Sequence, residues 1–250
     1  MTVKFLELSS PDRSIAYNLT EAKNPKATLV FLCGLMSDME GTKALYIEEY
    51  AKQHGLSFLR FDYQGHGQSS GEFVDGSITL WQQDTLAVID ELTSGPVVLI
   101  GSSMGGWQML LAALNRPDRI KALVGIAPAP DFTQELMEDQ LAPDAIKQLD
   151  GGSVYELIPE PGASGYPITR RFLDDGRDNN LLNKSINITA PLHILHGIQD
   201  TSVPPEVSAR IMQHVVGEQV YLHLIKDGDH RLSRDQDLQL LSKVLDTVLA

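Results

Sequence analysis

The chain has 250 residues, 42% of them hydrophobic and 21% charged, which is the composition of a globular protein and predicts a single domain over residues 1–250. A formal net charge of −13 argues against a nucleic-acid partner, and a single cysteine, Cys33, excludes both an intramolecular disulfide and a metal site of several thiolates. The N-terminus has no secretory signal and no apolar run approaches the roughly 18 residues of a membrane span, so we expect a cytosolic protein.

Apolar, β-branched runs alternate with longer amphipathic stretches along the first half of the chain. The first 20 residues are typical of two strands joined by a turn at Pro11 and Asp12, which would extend a sheet as an antiparallel edge. Strands are predicted at 27–33, 56–62, 97–101 and 120–127, and helices at 40–54, 78–93 and 104–115. This order predicts an α/β fold with a doubly wound, mostly parallel sheet of about eight strands and helices on both faces.

The alternation of strands and helices stops at about residue 131 and resumes at 191. The insertion 131–189 contains helical pieces, a proline- and glycine-rich turn region and a polar stretch, at 132–149, 159–167 and 174–180. Because loops at the carboxyl ends of parallel strands border the ligand crevice, it predicts a helical cap over a site; the alternative is a subdomain that only packs. Beyond it we predict strands at 191–196 and 219–225 and helices near 205–216 and 233–249.

The motif G-x-S-x-G occupies residues 101–105, between a predicted strand and a predicted helix, which is the context that a nucleophile elbow requires. The turn is so tight that side chains two residues before and after the serine would clash, and Gly101 and Gly105 avoid this. Ser102 is out of register, because only Ser103 has glycine at a spacing of two on both sides. The motif predicts Ser103 as a nucleophile; a glycine-rich turn without chemistry is the alternative.

A serine hydroxyl needs a base to take its proton, and the base needs an acid to orient it. In an elbow-type site the acid and then the histidine follow the serine along the chain, on loops after later strands. Asp200 follows the predicted strand at 191–196, and His230 ends the glycine-containing loop after the strand at 219–225. We predict Asp200 as the orienting acid and His230 as the general base, at the same sheet edge as Ser103.

Other residues compete for these two roles. Asp131 follows the strand at 120–127 and is the rival acid, whereas Asp227 and Asp229 are expected to be solvated. The rival bases are His66, His193, His196, His214 and His223. Of these, His193 and His223 fall inside predicted strands and are expected to pack as neutral core histidines, and His196 is interpreted as a turn former.

An oxyanion hole needs two backbone N–H donors. We predict Met104 as one of them, directly after the nucleophile, where the start of the next helix adds its dipole. We predict Leu35 as the other, in the loop after the strand at 27–33, where Gly34 lets the backbone approach closely. Cys33 is interpreted as a small buried hydrophobe and not as a second nucleophile.

With these parts assembled, the chain resembles the α/β-hydrolase superfamily over nearly its whole length. Five segments are similar to the mitochondrial palmitoyl-protein thioesterase and acyl-glucuronide esterase subfamily and its bacterial relatives: FLCGLMSDMEGTKALYIEEYAKQ, LRFDYQGHGQSSG, GPVVLIGSSMGGWQMLLAA, LHGIQDTSVP and DGDHR. The strings GTKALYIEE and GSSMGGW are the most specific, because the superfamily at large does not require them. The resemblance implies a serine hydrolase with a triad of Ser103, Asp200 and His230, which cleaves acyl esters or thioesters without a metal or organic cofactor.

The insertion 131–189 departs most from that subfamily, so the class of activity transfers better than the substrate. The expected partner is a small-molecule or lipid-like acyl ester or thioester, or an S-acylated protein, and the reaction would pass through an acyl-enzyme. Two alternatives are C–C bond hydrolysis or perhydrolysis by the same triad, and a non-catalytic ligand-binding member of the fold. Eight apolar residues of the insertion either line an acyl pocket or pack the cap onto the body: Leu136, Met137, Leu141, Ile146, Leu149, Tyr155, Leu157 and Ile158.

Overall fold

A computed structural model describes residues 2–8, 13–23, 27–158 and 165–250. Its strands are β1 (Lys4–Glu7), β2 (Ser14–Thr20), β3 (Thr28–Leu32), β4 (Ser57–Phe61), β5 (Val97–Ser102), β6 (Ile120–Ile126), β7 (Tyr155–Leu157), β8 (Tyr166–Ile168), β9 (Leu192–Gly197) and β10 (Val220–Ile225). Its α-helices are α1 (Thr42–His54), α2 (Ile78–Leu92), α3 (Met104–Asn115), α4 (Pro143–Asp150), α5 (Arg170–Asp178), α6 (Pro205–His214) and α7 (Asp235–Leu249).

Eight strands form one sheet, in the order β1-β2-β4-β3-β5-β6-β9-β10. The strands from β4 through β10 in this order pair in parallel, whereas β2 pairs antiparallel with both β1 and β4. The predicted α/β fold, with a mostly parallel sheet of eight strands and an antiparallel N-terminal edge, is therefore confirmed. The predicted turn at Pro11 and Asp12 lies outside the described residues. Among the residues described, every helix is too short or too polar to cross a bilayer.

The centre of the sheet is apolar throughout. Every residue of β3, β5 and β9 is buried, as expected for parallel strands covered on both faces by helices. Helix α1 ends where predicted, because Gly55 adopts a left-handed conformation (φ 65°) and its N–H reaches the last turn of the helix. Parallel strands direct all their carboxyl ends to one edge, so the loops after β3, β5, β6, β9 and β10 meet there.

The insertion 131–189 contains more regular structure than its sequence predicts. A π-helix at Thr133–Met137, a 3-10 helix at Glu138–Gln140 and α4 account for the predicted helical pieces. Strands β7 and β8 pair in a small antiparallel sheet. Most of the polar stretch 174–180 lies in α5, which the sequence analysis does not predict.

Helix α5 forms because it has one apolar face and a capped start. Thr169 accepts the backbone N–H of Phe172 as an N-cap, and Phe172, Leu173 and Gly176 are buried. The ring of Phe172 packs against Trp81 of α2, with 5.7 Å between ring centroids. On the outer face, Glu138 forms ion pairs with Arg170 and Arg177, which explains how so many charges fit in one short helix.

The apolar residues of the insertion mainly pack. Met137 and Leu149 are buried in the core, and Leu136, Leu141, Tyr155 and Leu157 are half-buried against it. Ile158, by contrast, is 57% exposed. Packing therefore accounts for six of the eight residues considered for an acyl pocket.

Candidate active site

Ser103 stands at the tip of a sharp turn between β5 and α3. Its backbone has φ 55° and ψ −120°, a conformation that residues with a side chain rarely adopt. Surrounding hydrogen bonds hold it: the Ser103 N–H donates to the carbonyl of Ile126 at 3.0 Å, and its own carbonyl accepts N–H groups from Gly106 and Ala129. A strained residue that its neighbours fix in this way is typical of functional sites.

The glycines of the elbow are required by contact with other backbone. A Cβ atom added at Gly101 would lie 2.3 Å from the carbonyl oxygen of Gly105, and one added at Gly105 would lie 2.0 Å from the carbonyl oxygen of Leu32. Both distances are far below van der Waals contact. Glycine at these positions lets α3 approach β3 and β5 closely, as the motif predicts.

The structure brings the three predicted side chains together in one line. His230 Nε2 lies 3.1 Å from Ser103 Oγ, and His230 Nδ1 lies 2.7 Å from Asp200 Oδ2. The Asp200 carboxylate is inaccessible to solvent, whereas the His230 side chain is 26% exposed. The line therefore runs from a buried acid to a serine at the surface of the site.

Direct backbone contact positions the loops that carry Asp200 and His230. A Cβ atom at Gly197 would lie 2.2 Å from the carbonyl oxygen of Gly228, and the same oxygen accepts the N–H of Gln199 at 2.8 Å. The end of β9 and the loop after β10 therefore pack against each other without intervening side chains. This contact fixes the distance between the acid and the histidine.

The Asp200 carboxylate is held in its ionised form. Its Oδ1 accepts the backbone N–H groups of Ser202 and Val203, both at 2.8 Å. Burial alone would raise the pKa of Asp200, but hydrogen bonding from His196 and His230, together with Val203, outweighs burial and holds the pKa of this carboxyl below its usual value. An ionised acid at this position favours the His230 tautomer that carries its proton on Nδ1.

The rival acid Asp131 has another role in the structure. Its two carboxylate oxygens accept the backbone N–H groups of Leu181 and Leu182, each at 2.8 Å. It thereby ties the start of the insertion 131–189 to its far end, and among its contacts with described residues none is a hydrogen bond to a histidine. The predicted solvation of Asp227 and Asp229 agrees with their exposure, although Asp227 also pairs with Arg234.

None of the rival histidines hydrogen-bonds to Ser103 within the described part of the chain. His193 and His223 lie in β9 and β10 with facing nitrogens 3.4 Å apart, and burial lowers the pKa of each. His193 is buried as predicted, but His223 is only half-buried. His214 bonds to the carbonyl of Lys184 at the end of α6.

The interpretation of His196 as a turn former is wrong. His196 lies in β9, because the strand continues to pair with β10 through Gly197. Its side chain is fully buried, and its Nε2 lies 3.2 Å from Asp200 Oδ2. Sequence reasoning missed this contact with the acid; the signal available was the spacing of four residues between His196 and Asp200.

The loop after β3 carries the second predicted oxyanion donor. Gly34 lies against Ser103, since a Cβ atom at Gly34 would be 3.4 Å from Ser103 Cβ. Ser37 donates its N–H to the Gly34 carbonyl at 3.2 Å, and Met36 donates its N–H to His66 Nε2 at 3.1 Å. Neither the N–H of Leu35 nor that of Met104 has an acceptor among the described residues.

Cys33 precedes this loop and is buried, as predicted. Burial raises the pKa of its thiol, with a smaller contribution from Asp62. The thiol therefore stays protonated and is not a nucleophile.

His66 supports the loop after β3, which is a second contact that sequence reasoning missed. Its Nδ1 lies 3.3 Å from the carbonyl of Gln64, which assigns the proton to Nδ1 and leaves Nε2 to accept the N–H of Met36. Burial lowers the pKa of His66 to about 4, so the ring is neutral near pH 7. A neutral His66 holds Met36 in its left-handed conformation, at φ 52°. The signal available was the placement of His66 between two glycines.

We expect His66 to make the protein less stable in mild acid, and His66→Gln to remove this effect. As pH falls from 6.5 to about 4, the unfolded chain binds a proton on His66 and the folded protein does not, so stability is lost. The stability advantage of the wild type over His66→Gln should shrink by about 2–3 kcal/mol between about pH 7 and about pH 4.5. Urea denaturation at both pH values measures it.

Other groups titrate in the same window, including Asp84, whose pKa burial raises to about 6. They act in both proteins and cancel in the difference. Parallel stability curves for the two proteins would contradict the neutral, buried state of His66.

Five non-glycine residues in the described part of the chain have positive φ, and all lie in loops after parallel strands: Met36, Ser103, Ala127, Asp131 and Leu232. The loops concerned follow β3, β5, β6 and β10, which are the loops that surround Ser103. The strain in the backbone is therefore concentrated around the candidate site.

A nucleophile elbow on a mostly parallel sheet, with an acid and a histidine on loops after later strands, defines the α/β-hydrolase superfamily. The prediction of that fold class is confirmed. Within the superfamily the chain belongs to the serine aminopeptidase S33 family, whose family model matches residues 23–158.

Individual relatives agree with this assignment. The chain is 36% identical over 244 residues to the mitochondrial palmitoyl-protein thioesterase ABHD10 of Homo sapiens, a match that covers 97% of this chain and 79% of that protein. A crystal structure of a putative hydrolase from Agrobacterium vitis S4 superposes with a TM-score of 0.93 at 35% identity, covering 100% of this chain and 98% of the other. Mouse alpha/beta hydrolase domain-containing protein 10 superposes with a TM-score of 0.89 at 33% identity, with the same coverage. The resemblance to the palmitoyl-protein thioesterase subfamily is confirmed, and the chain is a hydrolase by family.

Proposed function

We propose that this protein is a serine hydrolase that cleaves carboxylic esters or thioesters through an acyl-enzyme on Ser103. The observation that carries the proposal is the unbroken contact from Ser103 Oγ to His230 Nε2 at 3.1 Å and from His230 Nδ1 to Asp200 Oδ2 at 2.7 Å. A serine in this arrangement can transfer its proton as it attacks a carbonyl. No other histidine among the described residues bonds to that hydroxyl.

In the first half of the reaction, Ser103 Oγ attacks the acyl carbonyl and His230 Nε2 takes the hydroxyl proton. Asp200 keeps the other imidazole proton on Nδ1 and stabilises the imidazolium by its charge. His230 then gives the Nε2 proton to the leaving alcohol or thiol, and the acyl-enzyme remains. In the second half, water enters, His230 takes its proton, and the acid is released as Ser103 regains its hydrogen.

The backbone N–H groups of Met104 and Leu35 are proposed to stabilise the negative oxygen of the tetrahedral intermediates. Support comes from the position of Met104 at the first turn of α3, where the helix dipole favours negative charge. Support for Leu35 comes from its neighbours: Met36 and Ser37 already have acceptors, so the Leu35 N–H remains for the substrate. Loss of one such donor typically lowers kcat by about 10²–10³.

The substrate class follows from the relatives and not from a cavity in the structure. The thioesterase activity named for ABHD10 supports acyl thioesters, including S-acylated proteins, and we extend it to this chain as part of the proposal. We assign the insertion 131–189 to a cap within a single domain, because Asp131 and Leu182 close its base and Phe172 seats it on α2. A cap commonly shapes the choice of substrate, so the preferred acyl chain length is the property that transfers least from the relatives.

The proposal is tested by measuring kcat/KM for a series of acyl chains, each as a matched oxygen ester and thioester, together with trapping by a fluorophosphonate. We expect turnover in one part of the series and a single phosphonate adduct on the peptide that contains Ser103. Ser102→Ala is the matched control and should label as fast as the wild type. A wild type that neither hydrolyses nor labels would overturn the proposal and favour C–C bond chemistry or a non-catalytic binding role.

A further inference from the structure

Behind the acid Asp200 lies a second histidine, His196, which the proposed mechanism does not use. Its side chain is completely buried in β9. Nδ1 lies 2.6 Å from Ser208 Oγ in α6, and Nε2 lies 2.9 Å from the carbonyl oxygen of Val203. Nε2 also lies 3.2 Å from Asp200 Oδ2, the oxygen that accepts the hydrogen bond from His230 Nδ1.

These contacts determine the tautomer of His196. A carbonyl oxygen can only accept a hydrogen bond, so the partner of Val203 must be an N–H, and the proton lies on Nε2. Nδ1 then accepts the hydroxyl proton of Ser208. The Nε2–H donates mainly to Val203 and points its positive end close to Asp200, where it withdraws electron density from the shared Oδ2.

The same contacts close a ring around the acid. The backbone N–H of Val203 donates to Asp200 Oδ1, and the carbonyl of Val203 accepts from His196. His196 therefore fixes the loop that carries Asp200 as well as contacting its carboxylate. Hydrogen bonding from His196 also contributes to the low pKa of Asp200.

We propose that His196 is a positioning residue that sets how strongly Asp200 stabilises the protonated form of His230. This inference rests on the proposed function, since it concerns the same site. With the His196 N–H present, the negative charge of the Asp200 carboxylate interacts with two imidazole N–H groups. Its stabilisation of protonated His230 is therefore weaker, and His230 gives up its proton more readily. Without the His196 N–H, the full charge of Oδ2 acts on His230, which then stays protonated to higher pH.

Few other groups can produce this effect. Among the described residues, the titratable groups that face His196 are Asp200, on the loop after β9, and beyond it His230, on the loop after β10. From α6 the facing group is Ser208, a hydroxyl that does not titrate in this range. A change in the pH profile on removing His196 therefore reports on the Asp200–His230 pair.

The test compares His196→Leu, His196→Gln and Ser208→Ala by the pH dependence of kcat/KM on a substrate that the wild type turns over. In His196→Leu the acidic limb should move to higher pH by about half a unit to one unit, because a hydrogen bond to a charged group has been removed. His196→Gln keeps an N–H donor on a side chain of similar reach and should return the limb to the wild-type position. Ser208→Ala is the matched control, which removes a buried partner of His196 but leaves the Nε2–H, and its limb should not move.

A lower kcat in His196→Leu with an unmoved acidic limb would overturn the inference and leave His196 with a structural role only. An equal shift in Ser208→Ala would overturn it as well. If His196→Leu does not fold, the pH profiles of His196→Gln and Ser208→Ala are compared with each other. An acidic limb that is displaced in His196→Gln, which keeps an N–H donor, and not in Ser208→Ala would contradict the proposed role of that donor. Fluorophosphonate labelling of Ser103 distinguishes this failure from failure of the proposed function, since the labelling does not depend on the inference.

Discussion

Replacing Ser103 with alanine should lower kcat/KM by at least about 10³ and by as much as about 10⁶, the range expected when a triad nucleophile is removed. No other hydroxyl hydrogen-bonds to His230 among the described residues, so no side chain can substitute for it. Steady-state kinetics on the best substrate of the acyl series measures the loss, with a fluorophosphonate label to count any remaining active sites.

The fold should survive this change. Alanine keeps the Cβ atom and therefore keeps the backbone strain at φ 55°, and the hydrogen bonds of position 103 to Ile126, Gly106 and Ala129 use only main-chain atoms. The thermal midpoint should stay close to that of the wild type, and Ser102→Ala, the neighbouring control, should keep its activity. Ser103→Ala with wild-type kcat/KM would eliminate the acyl-enzyme mechanism.

Asp200→Asn should lower kcat by about 10⁴, through the wrong tautomer of His230. The amide oxygen of asparagine would take the two N–H groups of Ser202 and Val203, which now bond to Oδ1. Its NH₂ group would then face His230 Nδ1 and favour the tautomer with the proton on Nε2. That tautomer cannot accept the proton of Ser103. A pH profile of kcat, measured together with the unfolding midpoint, separates this loss from destabilisation.

Asp131→Asn is the matched control, because Asp131 is the rival acid and is also buried. Each of its oxygens accepts one N–H, from Leu181 and Leu182, so an NH₂ group would face one of these donors and lower stability. The kcat of the folded variant should stay within about threefold of the wild type, since no hydrogen bond between described residues joins Asp131 to Ser103 or His230. Loss of activity in Asp131→Asn with retention in Asp200→Asn would reverse the assignment of the acid.

The arrangement of Ser103, Asp200 and His230 could be predicted because its signals are local. The elbow is five residues long, and its glycines are demanded by the carbonyl oxygens of Leu32 and Gly105. Asp200 and His230 follow strands that are recognisable by their apolar runs, and parallel strands send their carboxyl ends to one edge. Asp200 and His230 are then brought together by the contact of Gly197, at the end of β9, with Gly228, in the loop after β10.

The supporting residues could not be predicted because their partners are distant in sequence. His66, in the loop after β4, contacts Met36 in the loop after β3. His196 is recognisable as a partner of Asp200 only once Ser208 and Val203 fix its ring. Helix α5 was missed for a similar reason. Its charged residues are typical of a loop in the sequence alone. In the structure, Glu138, which lies outside the helix, forms ion pairs with two of its arginines.

The concentration of left-handed residues around Ser103 has a consequence for laboratory evolution. Each such residue typically costs on the order of 1–3 kcal/mol, and glycine relieves much of it. A selection for heat resistance without a selection for turnover would therefore accept glycine first at the left-handed residues whose side chains contribute least to stability: Met36, which is 52% exposed, Ala127 and the candidate nucleophile Ser103. Thermal tolerance and catalysis would diverge within a few substitutions, and only a dual screen would keep both.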